Sequence, residues 1–458
     1  MKAIKWLKRC GNNYNKNFEK IFGVVNKQLF ILLIPIFFHL SIKSPQSKTL
    51  WFLITVVLLL FLLLFNAKYF LVAILLIFLY IFISTIQEYK LSKLNNGKYL
   101  VTGFITKCSE KYAIIRNENN NVLFILNKYV SPTPVEEGSK VEVYGVLTSI
   151  NNYHFDKYWM LSNNITYFLK KPTIFKITRT GFSIKQVIYE YSFNENYYFS
   201  KYWRLIVFGY GDSQITKNFI KLNIVHLIVV SGFHIDLIYM IFFKINYKNK
   251  RWLNWIFFIL VFWYITLLKS KISALRVFII YLFHKNFKFK YIESWLISFF
   301  VIFLINFNVL FNIGFIFSYS LSLLVYLINF LNFSKVRKQL MDILKLVLIF
   351  IFTIPLILKV NGQINIFSFL ISILFVPLIE LIYIFSLFLW FSPVFLNFVF
   401  YLFDTLIMFF INISFYIKLN ISSWLFVDLW ICLSFFWIFL ILQKENKKNN
   451  IKLFSSHI

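Results

Sequence analysis

Twelve apolar runs, most of them as long as a helix that crosses a hydrocarbon core, leave this chain few folds to adopt. A spanning helix takes about 20 residues, somewhat fewer where the bilayer thins. Three runs lie in the N-terminal region, near 29–42, 50–66 and 69–87. Nine more follow a polar interruption, near 221–243, 252–268, 272–284, 291–310, 313–332, 341–359, 364–391, 394–418 and 424–442. The run 272–284 is short for a full span and reads as re-entrant or half-buried, an arrangement membranes tolerate where protein or a water-filled cavity surrounds it. Charged residues make up 14% of the chain, against roughly 25% in soluble proteins, so a soluble fold is nearly excluded.

Charge then orients the spans. Lys and Arg number 48 and Asp and Glu 18, a formal charge of +30, whose first expected partner is anionic lipid and whose second is nucleic acid. With the N-terminus inside, the cytoplasmic segments carry 22 basic residues and the short outer loops 6, as the positive-inside rule requires. That asymmetry favours both termini in the cytoplasm and an even number of spans, so twelve fits. The basic stretch Met1 to Lys27 resembles the charged region of a signal peptide, but no small-residue cleavage site follows His39 to Lys43, and the first run reads as an uncleaved span. The expected organisation is a cytoplasmic basic segment 1–28, three spans over 29–87, a soluble domain 97–170, an interfacial linker 171–220, a channel-like domain 221–442 and a basic tail 443–458.

The interruption, roughly 90–204, falls outside after the third span. Its periodicity shifts to short β-branched and aromatic runs at 99–107, 111–116, 122–126, 140–148 and 158–169, separated by turn chemistry. Five short strands predict a small Greek-key barrel of the OB type, a class whose open face binds oligonucleotides or oligosaccharides. The best single strand starts at Gly138, alternates strictly, and carries Gly145 where it must bend. Between Gly97 and Lys170 eight basic residues stand against six acidic, a weak footprint for phosphate unless the cations share one face. Cys10, Cys108 and Cys432 are odd in number and far apart, with neither disulfide nor metal-ligand spacing.

One apolar segment breaks the pattern of the rest: Asn223 to Asp236, with His226, Ser231, Gly232, His234 and Asp236 inside it. Ionisable and polar residues at membrane depth are expensive unless they face a cavity or one another, so they are default functional candidates. Gly232 permits a kink or a close backbone approach, and on one straight helix His226 and His234 would lie about 80° apart, a poor arrangement for a shared metal. Arg276, in the short run, is placed either to meet a phosphate bidentately or to snorkel to the interface. Glu380 lies mid-membrane, whereas Asp212 reads better as a helix or turn cap than as a phosphate contact. Asp404 and Asp428 read as helix-packing or interfacial residues.

Taken in order, these motifs resemble the ComEC/Rec2-type competence permease family. The matching elements are Leu205 to Ser213 with its Gly-Asp pair, His226-Leu-Ile-Val-Val-Ser-Gly-Phe-His234, Ser273-Ala-Leu-Arg276, Asn312 to Leu321 with a Gly-Phe-x-x-Ser core, and Phe367 to Pro377. Phe233 and Asp236 depart from the commoner residues at their positions. The resemblance implies an inner-membrane channel that passes single-stranded DNA into the cytoplasm, with His226, Ser231, Gly232, His234 and Arg276 on its path and Asp212, Asp236 and Glu380 as secondary candidates. It implies no cofactor and no metal. A competence ATPase and a DNA receptor would be partners, since no Gly-rich nucleotide loop is present; the oligomeric state stays open. After Leu442 the sequence holds only a short Lys- and Asn-rich tail without the His-rich motif of the family's metallo-β-lactamase-like nuclease domain. The expectation is therefore a non-enzymatic permease served by a separate nuclease. Two rivals are a transporter of another polymer or lipid, and an intramembrane hydrolase built on Ser231 and His234.

Overall fold

The computed structural model of the chain describes residues 31–65, 67–90, 96–108, 112–117, 120–125, 138–149, 156–178, 184–192, 196–211, 213–224, 232–245, 251–269, 271–329, 338–419, 421 and 423–438. They form two compact units, one over Ile31–Phe193 with Ile302–Ile313, the other over Asn194–Val301 with Gly314 onward.

The first unit begins with three helices, α1 (Ile34–Lys43), α2 (Lys48–Phe65) and α3 (Ala67–Lys90). Pro35 opens α1, where its missing N–H costs nothing. Ile31, Ile34 and Ala73 are buried between the helices, yet Leu71, Leu75, Phe78 and Phe82 each leave more than 60% of their surface uncovered. So large an apolar exterior suits lipid rather than water.

Strands β1 (Gly97–Cys108), β2 (Tyr112–Asn117), β3 (Asn120–Ile125), β4 (Lys140–Ser149) and β5 (Ile165–Thr178) close into a barrel in the order β1-β2-β3-β5-β4, with β3 and β5 parallel. Alternate residues such as Val101, Ile105, Val141, Val143 and Leu147 fill its interior. Gly145 sits where β5 bulges between Lys170 and Thr173: a Cβ there would lie 2.7 Å from the Lys170 carbonyl oxygen. The expected strand over 158–169 is half wrong. Asp156 accepts a hydrogen bond from the Tyr158 N–H and caps a short helix, α4 (Lys157–Ser162), so the strand starts only at Ile165 and runs past 170. The Tyr158 hydroxyl meets Ser44 at 3.2 Å and Ser47 at 3.3 Å, which ties this helix to the turn between α1 and α2.

The second unit is helical: α5 (Ile184–Ser192) precedes it, and α6 (Tyr197–Phe208), α7 (Ser213–Lys221), α8 (Gly232–Ile245), α9 (Arg251–Leu267), α10 (Ile272–Tyr281), α11 (Tyr291–Ile305), α12 (Ile313–Ile328), α13 (Lys338–Asn361), α14 (Ser368–Phe388), α15 (Pro393–Asn412) and α16 (Trp424–Ile438) follow. Among the described residues, four helices, Lys68–Ile86, Ile343–Asn361, Ser368–Phe388 and Pro393–Asn412, are long and apolar enough to cross a membrane, and six shorter apolar helices accompany them. The structure thus supports a membrane protein with a barrel domain, while the count of twelve spans stays an expectation.

Four predicted runs have different ends. Helix α7 stops at Lys221, and Leu222–Ile224 form a turn in which Asn223 is buried at φ 59°. Its amide, oriented to satisfy both neighbours, donates to the Ile220 carbonyl at 3.0 Å and accepts from the Asn365 N–H at 2.7 Å. A left-handed residue cannot sit inside an α-helix, so no span begins at 221. The runs 364–391 and 394–418 each give up an end to a small antiparallel pair, Gln363–Asn365 with Tyr416–Lys418. The expected half-buried run 272–284 is a ten-residue helix that widens into a π turn over Leu282–Asn286.

Candidate functional site in the helical unit

The site is built where α8, α10 and α12 meet. Gly232 opens α8 and faces α10 without a side chain between them. A Cβ at that position would lie 2.7 Å from Val277 Cγ2, 2.8 Å from an Arg276 Nη and 3.3 Å from the Ser273 carbonyl oxygen. Glycine is thus required by a close approach between helices rather than by a kink.

Arg276 extends from α10 to α12. One Nη donates to the Ser318 carbonyl at 2.7 Å, and the guanidinium lies 5.8 Å from the centre of the Tyr319 ring, close enough for a cation–π contact. Asp236 of α8 and Tyr281 of α10 line the same cavity as Arg276. Tyr281 in turn stacks on Tyr239, ring centres 4.2 Å apart and nearly parallel. Tyr319 is anchored separately, its hydroxyl donating to Ser298 at 3.1 Å. Arg276 is therefore held by a carbonyl and a ring on α12.

His234, in the first turn of α8 beside Gly232, is fully buried and meets the edge of Tyr383 on α14 with ring centres 4.3 Å apart. The Tyr383 hydroxyl meets that of Tyr264 at 3.0 Å, and Tyr264 donates to the Val207 carbonyl at 2.5 Å. Beside this junction a cavity of about 610 Å³ is lined by Asp236, Arg276, Tyr281 and Tyr291, with exposed Lys244, His284 and Lys285 also on its wall.

Of the sequence-derived candidates, Gly232, Arg276 and Asp236 come together, with His234 on the same helix. Glu380, half-buried on α14, does not line the cavity. His226, Ser231 and Asp212 lie outside the described residues. The angle reckoned between His226 and His234 involves residues 225–231, which lie outside the described residues.

Two features had no sequence signal strong enough to find them. The Tyr383–Tyr264 pair joins residues 119 apart in unremarkable apolar runs. Asp404, read as a packing residue, is an ion-pair partner: Lys201 Nζ lies 3.1 Å from its carboxylate and Tyr202 also donates to it, which pins α6 to α15. A carboxylate inside an apolar run signals a partner, but nothing in the sequence says which one.

Comparison with known proteins places this junction in a family. An uncharacterized protein of Mycoplasma genitalium, MG316, is 33% identical over 168 residues, 36% of this chain and 44% of that protein. Its Mycoplasma pneumoniae homolog, also uncharacterized, is 30% identical over 189 residues, 39% of this chain and 48% of the relative. The matched region thus spans less than half the length of either curated relative. No solved structure matches. The family model of the competence proteins matches residues 207–446, which takes in α8, α10, α12 and α14. With just over half its length inside that match, the residues Gly232, His234, Asp236 and Arg276 included, the chain belongs to the competence protein family.

Proposed function

We propose that the chain is a multi-pass channel of the cytoplasmic membrane that passes single-stranded DNA inward during DNA uptake. Membership of the competence family suggests the uptake role. The observation that supports the channel reading is the convergence of separate sequence elements on one junction of the helical unit. Gly232 lets α8 approach α10, Arg276 reaches from α10 to Ser318 on α12, and His234 meets Tyr383 on α14.

A guanidinium at membrane depth is costly, and the Ser318 carbonyl and the Tyr319 ring hold this one in place. Fixed beside a cavity with further cations on its wall, Arg276 would offer a passing phosphate a positive field. In this reading both termini are cytoplasmic, the barrel faces outward and receives the strand, and a competence ATPase, a DNA receptor and a separate nuclease act with the channel.

The test is uptake of labelled DNA into a nuclease-protected state by a strain lacking the chain, complemented with the wild type, Arg276→Ala or His234→Ala. Both variants should reduce uptake at equal membrane abundance. Undiminished uptake in the deletion strain would sink the proposal.

A further inference from the structure

Barrels of this size offer ligands the outer face of their second and third strands. In this chain that face is occupied. Ile114 of β2 and Leu123 of β3 pair across the ladder and point outward, and each is only 1% exposed, because Met160 of α4 packs over them with Phe168 and Ile165. Trp159 of the same helix sets its ring against Tyr112 at 5.2 Å. The barrel's uncovered sheet face lies elsewhere, on β1, β4 and β5.

Residues opposite one another in an antiparallel sheet share a face, so the register alone lays out that surface. Four rows cross it: Lys98–Val146–Lys170, Leu100–Tyr144–Thr173, Thr102–Glu142–Lys176 and Phe104–Lys140–Thr178, the last extended by Arg116 of β2. Among the described residues, five cations thus share one face with a single carboxylate, Glu142, although the domain as a whole is nearly charge-balanced. Between the cations stand exposed apolar side chains, Phe104 at 49%, Tyr144 at 39% and Phe175 at 67%. Phe175, the extra residue of a bulge in β5, turns its ring onto Tyr144 with centres 6.1 Å apart. The Tyr144–Phe175 pair and Phe104 lie about 13 Å apart along the strands, since each residue advances about 3.3 Å.

Exposed aromatics between lysines, with only one carboxylate, match one class of ligand: a single strand whose phosphates meet the cations and whose bases stack on the rings. We propose that the β1–β4–β5 face, and not the covered β2–β3 face, binds single-stranded nucleic acid without sequence preference. The proposal rests on the DNA-uptake reading above and assigns that reading a receiving surface.

The test uses the full chain in nanodiscs of zwitterionic lipid and a fluorescent oligo-dT probe, with affinity measured across a salt series. Tyr144→Ala and Phe175→Ala should each raise Kd between roughly fivefold and a hundredfold, the range seen when a stacking partner of a base is removed. Lys140→Gln with Lys176→Gln should flatten the slope of log Kd against log salt by about 0.7 for each phosphate that no longer meets a cation. Lys157→Gln, on the helix that covers the other face, should leave binding as it was. If the unaltered protein binds the oligonucleotide and the aromatic and double-lysine variants bind equally well, this face is overturned while the DNA reading stands. If the unaltered protein binds no oligonucleotide, both fall. If polyphosphate competes equally and the two aromatic variants bind normally, the surface is a general polyanion site and the proposal is overturned.

Discussion

Replacing Gly232 by alanine tests the junction with a single methyl group. The new Cβ would lie 2.7 Å from Val277 Cγ2 and 2.8 Å from an Arg276 Nη. Carbon atoms in good contact stand about 3.5–4.0 Å apart, so roughly 1 Å of overlap must be relieved at Val277, which is itself buried at 3% exposure. The guanidinium end can swing away, but only by disturbing its 2.7 Å hydrogen bond to the Ser318 carbonyl. Overpacking of this kind costs about 1–3 kcal/mol. Alanine recovers at most about 1 kcal/mol through helix propensity, and less at the first residue of a helix. The clash wins, and the net loss is about 0–2 kcal/mol, a fall of a few degrees in the melting temperature of the detergent-solubilised protein. Val277→Ala removes the atom in conflict. In the double variant most of the loss should return, giving a coupling energy above about 0.5 kcal/mol in a double-mutant cycle. Strictly additive effects, or a Gly232→Ala protein more stable than the wild type, would refute the close approach of α8 to α10.

Two further variants probe the elements that hold each unit together. Asp404→Ala removes both the carboxylate beside Lys201 and the acceptor for Tyr202, in a pair whose side chains are 18% and 13% exposed. It should cost about 1–3 kcal/mol in thermal unfolding, whereas Asp404→Asn, which keeps an acceptor, should cost less. Asp156→Ala deletes the cap of α4 and should lower stability by about 0.5–2 kcal/mol. In addition it should raise protease cleavage near residues 157–162, where Met160 and Trp159 cover the barrel.

The sequence registered some features and missed others for identifiable reasons. Apolar runs and the change to period 2 are local signals, so most of the apolar helices and four of the five strands were legible, whereas α5, α6 and α7 fall in the stretch read as an interfacial linker. Residues 158–169 were not, because Tyr158 to Leu161 is aromatic and apolar in either conformation and the deciding residue, Asp156, acts through one cap. The end of α7 at Lys221 was missed for a similar reason: Asn223 adopts a left-handed turn because its amide is bonded to Ile220 and to Asn365, a residue more than a hundred positions away.

By itself the sequence determined that this chain suits a membrane, that a β-rich domain interrupts its apolar runs, and which short motifs break the apolar pattern. Each of these follows from transfer free energies and periodicities that a residue carries wherever it sits. Only tertiary structure decided that Gly232 serves a helix crossing, that Arg276 is held by Ser318 and Tyr319, that Asp404 pairs with Lys201, and that five of the barrel's cations gather on one face while α4 covers another. Those outcomes depend on which distant segments approach within a few ångströms, and short-range packing and hydrogen bonds between such segments leave no trace in local sequence.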